Sequence, residues 1–155
     1  MQKITPYLWF DDNAVEAAKY YVSIFKNSKM LSITREAGPK SKVMFVTFQI
    51  EGQEFFALNG GPLDKMKFTP AVSFYVDCKT QKEVDELWEK LSKEGQKGRC
   101  GWLEDKYGLS WQIIPTTLGE MLGDKDPKKA GRVLKAMLKM AKIDIKKLKQ
   151  AYEQD

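Results

Sequence analysis

Two stretches decide the fold: Ile4-Thr5-Pro6-Tyr7-Leu8-Trp9-Phe10-Asp11-Asp12 and Ala71-Val72-Ser73-Phe74-Tyr75-Val76-Asp77-Cys78. Each is a short run rich in apolar and aromatic residues with an acid at or next to its end, Asp12 in the first and Asp77 in the second. Each leads into apolar residues at helical spacing. After the first come Ala14, Ala17, Ala18, Tyr21, Val22 and Phe25; after the second, Val84, Leu87, Trp88 and Leu91. Periods of two and then 3.6 read as a strand followed by an amphipathic helix. Further strand-like runs follow each helix, so the chain reads as one unit made twice.

Around the first stretch, alternation puts Thr5, Tyr7 and Trp9 on one face and Ile4, Leu8 and Phe10 on the other. Pro6 cannot donate to a ladder, so an edge or strand-start position is expected. Asp12 or Asn13 is expected to cap the helix, with Glu16 in a capping box. Strands are predicted over 30–34, 43–50 and 53–59, with Glu51-Gly52 as a hairpin turn. In the second unit, Ala71, Ser73 and Tyr75 share a face, and Thr80-Gln81-Lys82-Glu83 is a capping box. Strands over 101–104 and 109–114 flank the turn Asp105-Lys106-Tyr107-Gly108, and Ser110, Gln112 and Ile114 share a face of the last strand. Beyond Pro115 the pattern is helical. Caps are expected at Thr117, Asp126 and Asp144, and Ile143 and Leu148 form a staple.

The chain has 155 residues, 43% of them apolar and 12% aromatic, enough for a packed core. No apolar run would span a membrane, and Lys3 argues against a signal-peptide core. Cys78 and Cys100 have no pairing pattern and read as reduced thiols, which suggests the cytoplasm. There is no histidine, which excludes Ser-His-Asp and Cys-His nucleophile systems and imidazole zinc sites. The net charge of +5 resides in residues 124–155, with ten basic and five acidic residues. That tail reads as a solvated helical face. Its single aromatic, Tyr152, argues against single-stranded nucleic acid, so neither nucleic acid nor membrane is an expected partner.

The order strand–helix–strands, twice, resembles the vicinal oxygen chelate superfamily of glyoxalase I, extradiol dioxygenases and bleomycin-resistance proteins. Within it the chain is similar to the PhnB-like family, often described as 3-demethylubiquinone-9 3-methyltransferase. The motifs are Phe56-Ala57-Leu58-Asn59-Gly60-Gly61-Pro62, Gly98-Arg99-Cys100-Gly101-Trp102, Asp105-Lys106-Tyr107-Gly108-Leu109-Ser110-Trp111-Gln112 and Lys142-Ile143-Asp144-Ile145. The resemblance implies an α+β fold of paired βαβββ modules curved around a pocket, usually in a homodimer. Module one would span about 1–62 and module two about 69–115, with a helical extension over 116–155, all in a single domain.

The superfamily's enzymes bind a divalent metal with one ligand from each of four strands, usually His, Glu or Gln. By strand position Thr5 and Ala71 stand where histidines are common, and Gln112 where the last glutamate sits. The fourth ligand would fall near Ala57 or Leu58. One neutral amide cannot hold such an ion against water, so no metal and no cofactor are expected. No Gly-x-Gly-x-Gly turn of the kind common in S-adenosylmethionine enzymes follows either leading strand. What remains is a pocket of aromatics, hydroxyls and an amide. Its expected ligand-binding residues are Thr5, Tyr7, Trp9, Ser73, Tyr75, Ser110 and Gln112, with Ala71 beside them. Two classes of function stay open. One is a protein that binds a small, partly apolar or aromatic molecule. The other is an enzyme, either a methyltransferase or metal-assisted.

Overall fold

The computed structural model describes residues 2–154, and the chain divides into two units, Met1–Lys67 and Phe68–Asp155. The first contains β1 (Tyr7–Phe10), α1 (Ala14–Ile24), β2 (Lys29–Arg35), β3 (Val43–Ile50) and β4 (Gln53–Asn59). Its sheet runs β1-β4-β3-β2, with β1 parallel to β4 and the other pairs antiparallel. The second contains β5 (Ser73–Cys78), α2 (Gln81–Ser92), β6 (Gln96–Lys97), β7 (Trp102–Glu104) and β8 (Ser110–Pro115). Its sheet runs β5-β8-β7-β6, again with one parallel pair, β5 with β8. Both units are therefore βαβββ, the duplication read from the sequence. Helices α3 (Thr116–Leu122), α4 (Pro127–Met137) and α5 (Ile145–Glu153) complete the second unit.

In the first unit, α1 covers the face formed by Leu8, Phe10, Val46, Phe48, Phe55 and Ala57, all buried. Tyr21 of α1 stacks on Phe48, ring centroids 6.3 Å apart. The expected cap at Asp12 or Asn13 is not what holds the helix start, since Asn13 makes no side-chain cap bond. Asn59, at the end of β4, accepts from the Ala14 N–H at 2.8 Å and donates to the Val43 carbonyl at 3.2 Å. One side chain thus satisfies an orphan donor of α1 and ties it to the sheet. The hairpin at Glu51-Gly52 has φ values of 47° and 83°, as a type I′ turn requires.

Strand β1 is shorter than the alternation predicts. Pro6 has no N–H, so regular pairing starts at Tyr7. Gln2 bridges the preceding segment to β4, donating to the Glu54 carbonyl and accepting from its N–H, both at 3.1 Å.

In the second unit, Val84, Leu87, Trp88 and Leu91 of α2 are buried. The capping box forms at Thr80, which accepts from the Glu83 N–H at 3.2 Å; Glu83 reaches back to the Lys79 N–H at 2.7 Å. The extension packs on Ile114, with Leu118, Val133, Ile143 and Leu148 buried around it. Complete burial of Ile143 or Leu148 is worth about 2 kcal/mol each. Asp126 and Asp144 cap α4 and α5 as expected. Thr117 does not cap α3: the N-cap is Pro115, and the Thr117 hydroxyl is buried without a partner. Backbone bonds from Cys100 to Met140 (2.9 Å) and from Gly101 to Ala141 (2.8 Å) fasten the extension to the β6–β7 connection. A Cβ at Gly101 would meet Ile114 at 2.6 Å, and its φ is +82°, so only glycine suits this crossing.

Candidate functional site

Since α1 takes one face of the first sheet, the alternate residues face away from it. Tyr7 of β1 lies opposite Phe56 of β4, and Phe56 opposite Thr47 of β3. Phe45 completes a triangle of rings. The centroid distances are 5.6 Å for Tyr7–Phe45, 6.0 Å for Tyr7–Phe56 and 5.3 Å for Phe45–Phe56. None of the three is buried, and Tyr7 is 54% exposed. Beyond the rings the face turns polar, where Ser32 and Thr47 share a hydroxyl–hydroxyl bond of 2.6 Å. Phe45 and Phe56 escape the sequence reading because β3 and β4 are apolar on both faces. Thr47 and Gln49, two and four residues on from Phe45, are the signal that marks this side of β3.

Trp9 shares the face with Tyr7 but has a second duty. Its Nε1–H donates to the Gly61 carbonyl at 3.0 Å, and a Cβ at Gly60 would lie 2.1 Å from its ring. The Asn59-Gly60-Gly61-Pro62 loop is thus shaped to admit an indole. Thr5 precedes β1, and its hydroxyl accepts from the Gln2 amide at 3.3 Å.

On the second sheet, Ser73 lies opposite Ser110, and Tyr75 opposite Gln112, which in turn faces Trp102. Gln112 Nε2 donates to Ser73 Oγ at 3.0 Å. Tyr75 is 57% exposed, whereas Ser110 is buried. Ala71 lies in the turn ahead of β5. Within each sheet, then, the predicted residues do share a face: Tyr7 with Trp9 on one, Ser73, Tyr75, Ser110 and Gln112 on the other. Trp88 and Trp111 belong to the core, as expected.

The electrostatics are mild. Burial pushes the Tyr75 phenol above its ordinary value, and the nearby Asp77 charge adds to this. Asp77 itself is held low by hydrogen bonds from Lys79 and then Thr116. The Cys78 thiol is raised to about 12 by burial and by the charges of Glu83 and Asp77. A thiol held neutral in this way is a packing group, not a nucleophile.

The residues at the superfamily's ligand positions do not suit a divalent ion. Ala57 is fully buried, Ala71 has no donor atom, the Thr5 hydroxyl takes the Gln2 amide, and the Gln112 amide is engaged with Ser73. Among the described residues no group of three or more His, Cys, Asp or Glu side chains could hold a metal. Nor is any helix among them long and apolar enough to cross a membrane.

Two βαβββ units, each with a helix on one face of a four-stranded sheet, define a protein of the vicinal oxygen chelate class. Within that class the family described as 3-demethylubiquinone-9 3-methyltransferase matches residues 2–114, and the chain belongs to this PhnB-like family. The PhnB protein from Bacillus cereus is 39% identical, with 74% of this chain and all of that chain covered and a TM-score of 0.67. PA1353 from Pseudomonas aeruginosa is 18% identical over 74% of this chain and 98% of its own, with a TM-score of 0.62. The fosfomycin resistance protein FosX from Listeria monocytogenes is 18% identical over 79% and 98%, at 0.54. The last two likenesses are of fold. No curated protein matches the chain. Helices α3, α4 and α5 lie beyond the residues that the family matches.

Proposed function

We propose that the protein binds a small, partly apolar or aromatic molecule on the open faces of its sheets. The observation that carries this reading is the ring triangle of Tyr7, Phe45 and Phe56. Most other aromatic rings of the first sheet are packed against α1, while these three lie on the face that no helix of their unit covers. Rings presented flat and edge-on suit another π-system or an apolar ring. Beside the rings, the Ser32–Thr47 pair of the same sheet supplies hydroxyls to orient such a ligand; the second unit's own sheet offers the Ser73–Gln112 pair. Against a resident metal stand the side chains at the superfamily's ligand positions, which do not suit a divalent ion. A methyltransferase reading rests on the family's description alone.

Calorimetric titration of the full chain separates these readings. The expected result is saturable heat with small aromatic compounds and none with S-adenosylmethionine, Mg²⁺ or Zn²⁺. Tight binding of S-adenosylmethionine or of either ion would overturn the proposal in favour of an enzyme. We also propose a homodimer and a cytoplasmic location. Each open face leaves apolar area to be covered, which association between copies achieves. Light scattering at micromolar concentration is expected to give twice the chain mass. A monomer mass would refute the dimer.

A further inference from the structure

Asn59-Gly60 is the one Asn-Gly pair in the chain. In such a pair the glycine's backbone nitrogen can attack the side-chain amide carbon of the asparagine, because no Cβ on the glycine hinders the approach. The carbon–nitrogen bond of the amide breaks, the glycine's N–H proton leaves with the departing ammonia, and a five-membered succinimide closes. Water then opens either carbonyl of that ring, giving aspartate or its backbone isomer, isoaspartate. Nothing is oxidised or reduced, and water is the only co-reactant.

The fold holds both reacting groups. The Gly60 N–H donates to the Phe10 carbonyl at 2.9 Å. The Asn59 amide is engaged at both ends, accepting from the Ala14 N–H at 2.8 Å and donating to the Val43 carbonyl at 3.2 Å. The next residue is pinned too: the Gly61 N–H donates to the Asp11 carbonyl at 3.0 Å, and the Gly61 carbonyl accepts from Trp9 Nε1 at 3.0 Å. Ring closure has to break the Gly60–Phe10 bond and turn the amide away from Ala14 and Val43. Those bonds yield together when the end of β4 opens from β1 and α1, a local unfolding event. The other two asparagines, Asn13 and Asn27, precede Ala14 and Ser28, whose side chains hinder the same attack.

We propose that Asn59 is a self-modification site gated by the fold, which deamidates when the end of β4 opens and is protected while it is closed. The change runs one way. Aspartate at this position keeps an acceptor for the Ala14 N–H but has no N–H for the Val43 carbonyl, which then faces a carboxylate. Isoaspartate adds a carbon to the backbone between residues 59 and 60, which moves Gly60 and Gly61 out of register with Phe10, Asp11 and the Trp9 indole. A chain that has opened is thereby marked, and the mark weakens the tie between α1 and its sheet. The proposal does not depend on what binds at the ring triangle.

The test incubates the full chain at mildly alkaline pH, in buffer and in unfolding urea, with heavy-oxygen water as solvent. Trypsin then releases residues 43–65, in which Asn59 is the only asparagine, and mass spectrometry follows the exchange of amide for labelled carboxylate. The reaction at Asn59 should be roughly tenfold or more faster in urea than in buffer. In urea it should also outpace any reaction at Asn13 or Asn27. Trp9→Phe keeps a ring but removes the N–H that holds the Gly61 carbonyl. It should speed the reaction in buffer by roughly threefold or more and leave the rate in urea unchanged. Circular dichroism checks that this variant is folded; if it is unfolded, its rate in buffer must equal the parent's in urea. Chains modified in urea and returned to buffer should unfold at a lower urea concentration than unmodified chains. Equal rates in buffer and urea, no reaction in urea, faster reaction at Asn13 or Asn27 in urea, a folded Trp9→Phe no faster than the parent, or an unchanged unfolding midpoint after modification would each overturn the proposal.

Discussion

Asp105 shows how one residue gives physical content to a motif. It is 2% exposed. One carboxylate oxygen accepts from the N–H groups of Tyr107 and Leu109, at 2.8 and 3.1 Å; the other accepts from Trp111 Nε1 at 2.9 Å. The run from Asp105 to Trp111 is therefore a turn that builds its own acceptor and aims a tryptophan into the core. Changing Asp105 to Ala leaves those donors unpaired and should cost about 3 kcal/mol. A urea unfolding midpoint within error of the parent protein would contradict this. The sequence shows the turn, through Gly108, but not its debt to Trp111, because a hydrogen bond six residues away leaves no periodic trace.

Cys78 offers a pH test at the same scale. Its ordinary value is near 9.0 and its folded value about 12, so above pH 9 the unfolded chain sheds a proton that the folded chain keeps. Stability contributed by the neutral thiol is thus present below pH 9 and lost as pH rises toward 12. The slope is at most about 1.4 kcal/mol per pH unit. Denaturant titrations of the parent and of Cys78→Ala between pH 8 and 10.5 should show the steeper decline in the parent. Parallel curves would contradict the assignment.

Among the elements, α1 and α3 are where local sequence rules give way to long-range contacts. The start of α1 carries Asp12, Asn13 and Glu16, all residues suited to capping, yet Asn59 supplies the bond to Ala14 from 45 residues away. Changing Asn59 to Ala should destabilise the protein by about 1 kcal/mol, whereas Asn13→Ala should cost little. The reverse ranking in chemical denaturation would refute this account of the helix start. At α3, Thr117 buries an unpaired hydroxyl, so Thr117→Val should be neutral or stabilising, by up to about 1 kcal/mol. A lowered melting temperature would mean that the hydroxyl has a partner.

Strand β6 was illegible for a different reason. Gln96 and Lys97 have no apolar pattern, and their pairing with β7 depends on Gly95, whose Cβ would sit 2.2 Å from the Glu104 carbonyl. The capping box of α2 and the Glu51-Gly52 turn were legible because both are set by neighbours in sequence.

At the scale of the whole molecule, the duplication was readable because each unit repeats a change of period from two to 3.6. Which face stays open was only partly readable. Alternation placed Tyr7 and Trp9 together, and Ser73 with Tyr75, but the ring partners Phe45 and Phe56 sit in strands apolar on both sides. The chain's central property is then an aromatic face with no helix over it in its own unit, in a fold whose usual metal positions carry unsuitable side chains. Titration with 8-anilinonaphthalene-1-sulfonate, an aromatic probe that brightens in apolar surroundings, tests this most directly. The parent protein should show saturable enhancement that weakens at least tenfold in Tyr7→Ala and in Phe45→Ala, with both variants folded by circular dichroism. Enhancement that does not saturate, or that is the same in both variants as in the parent, would contradict the account.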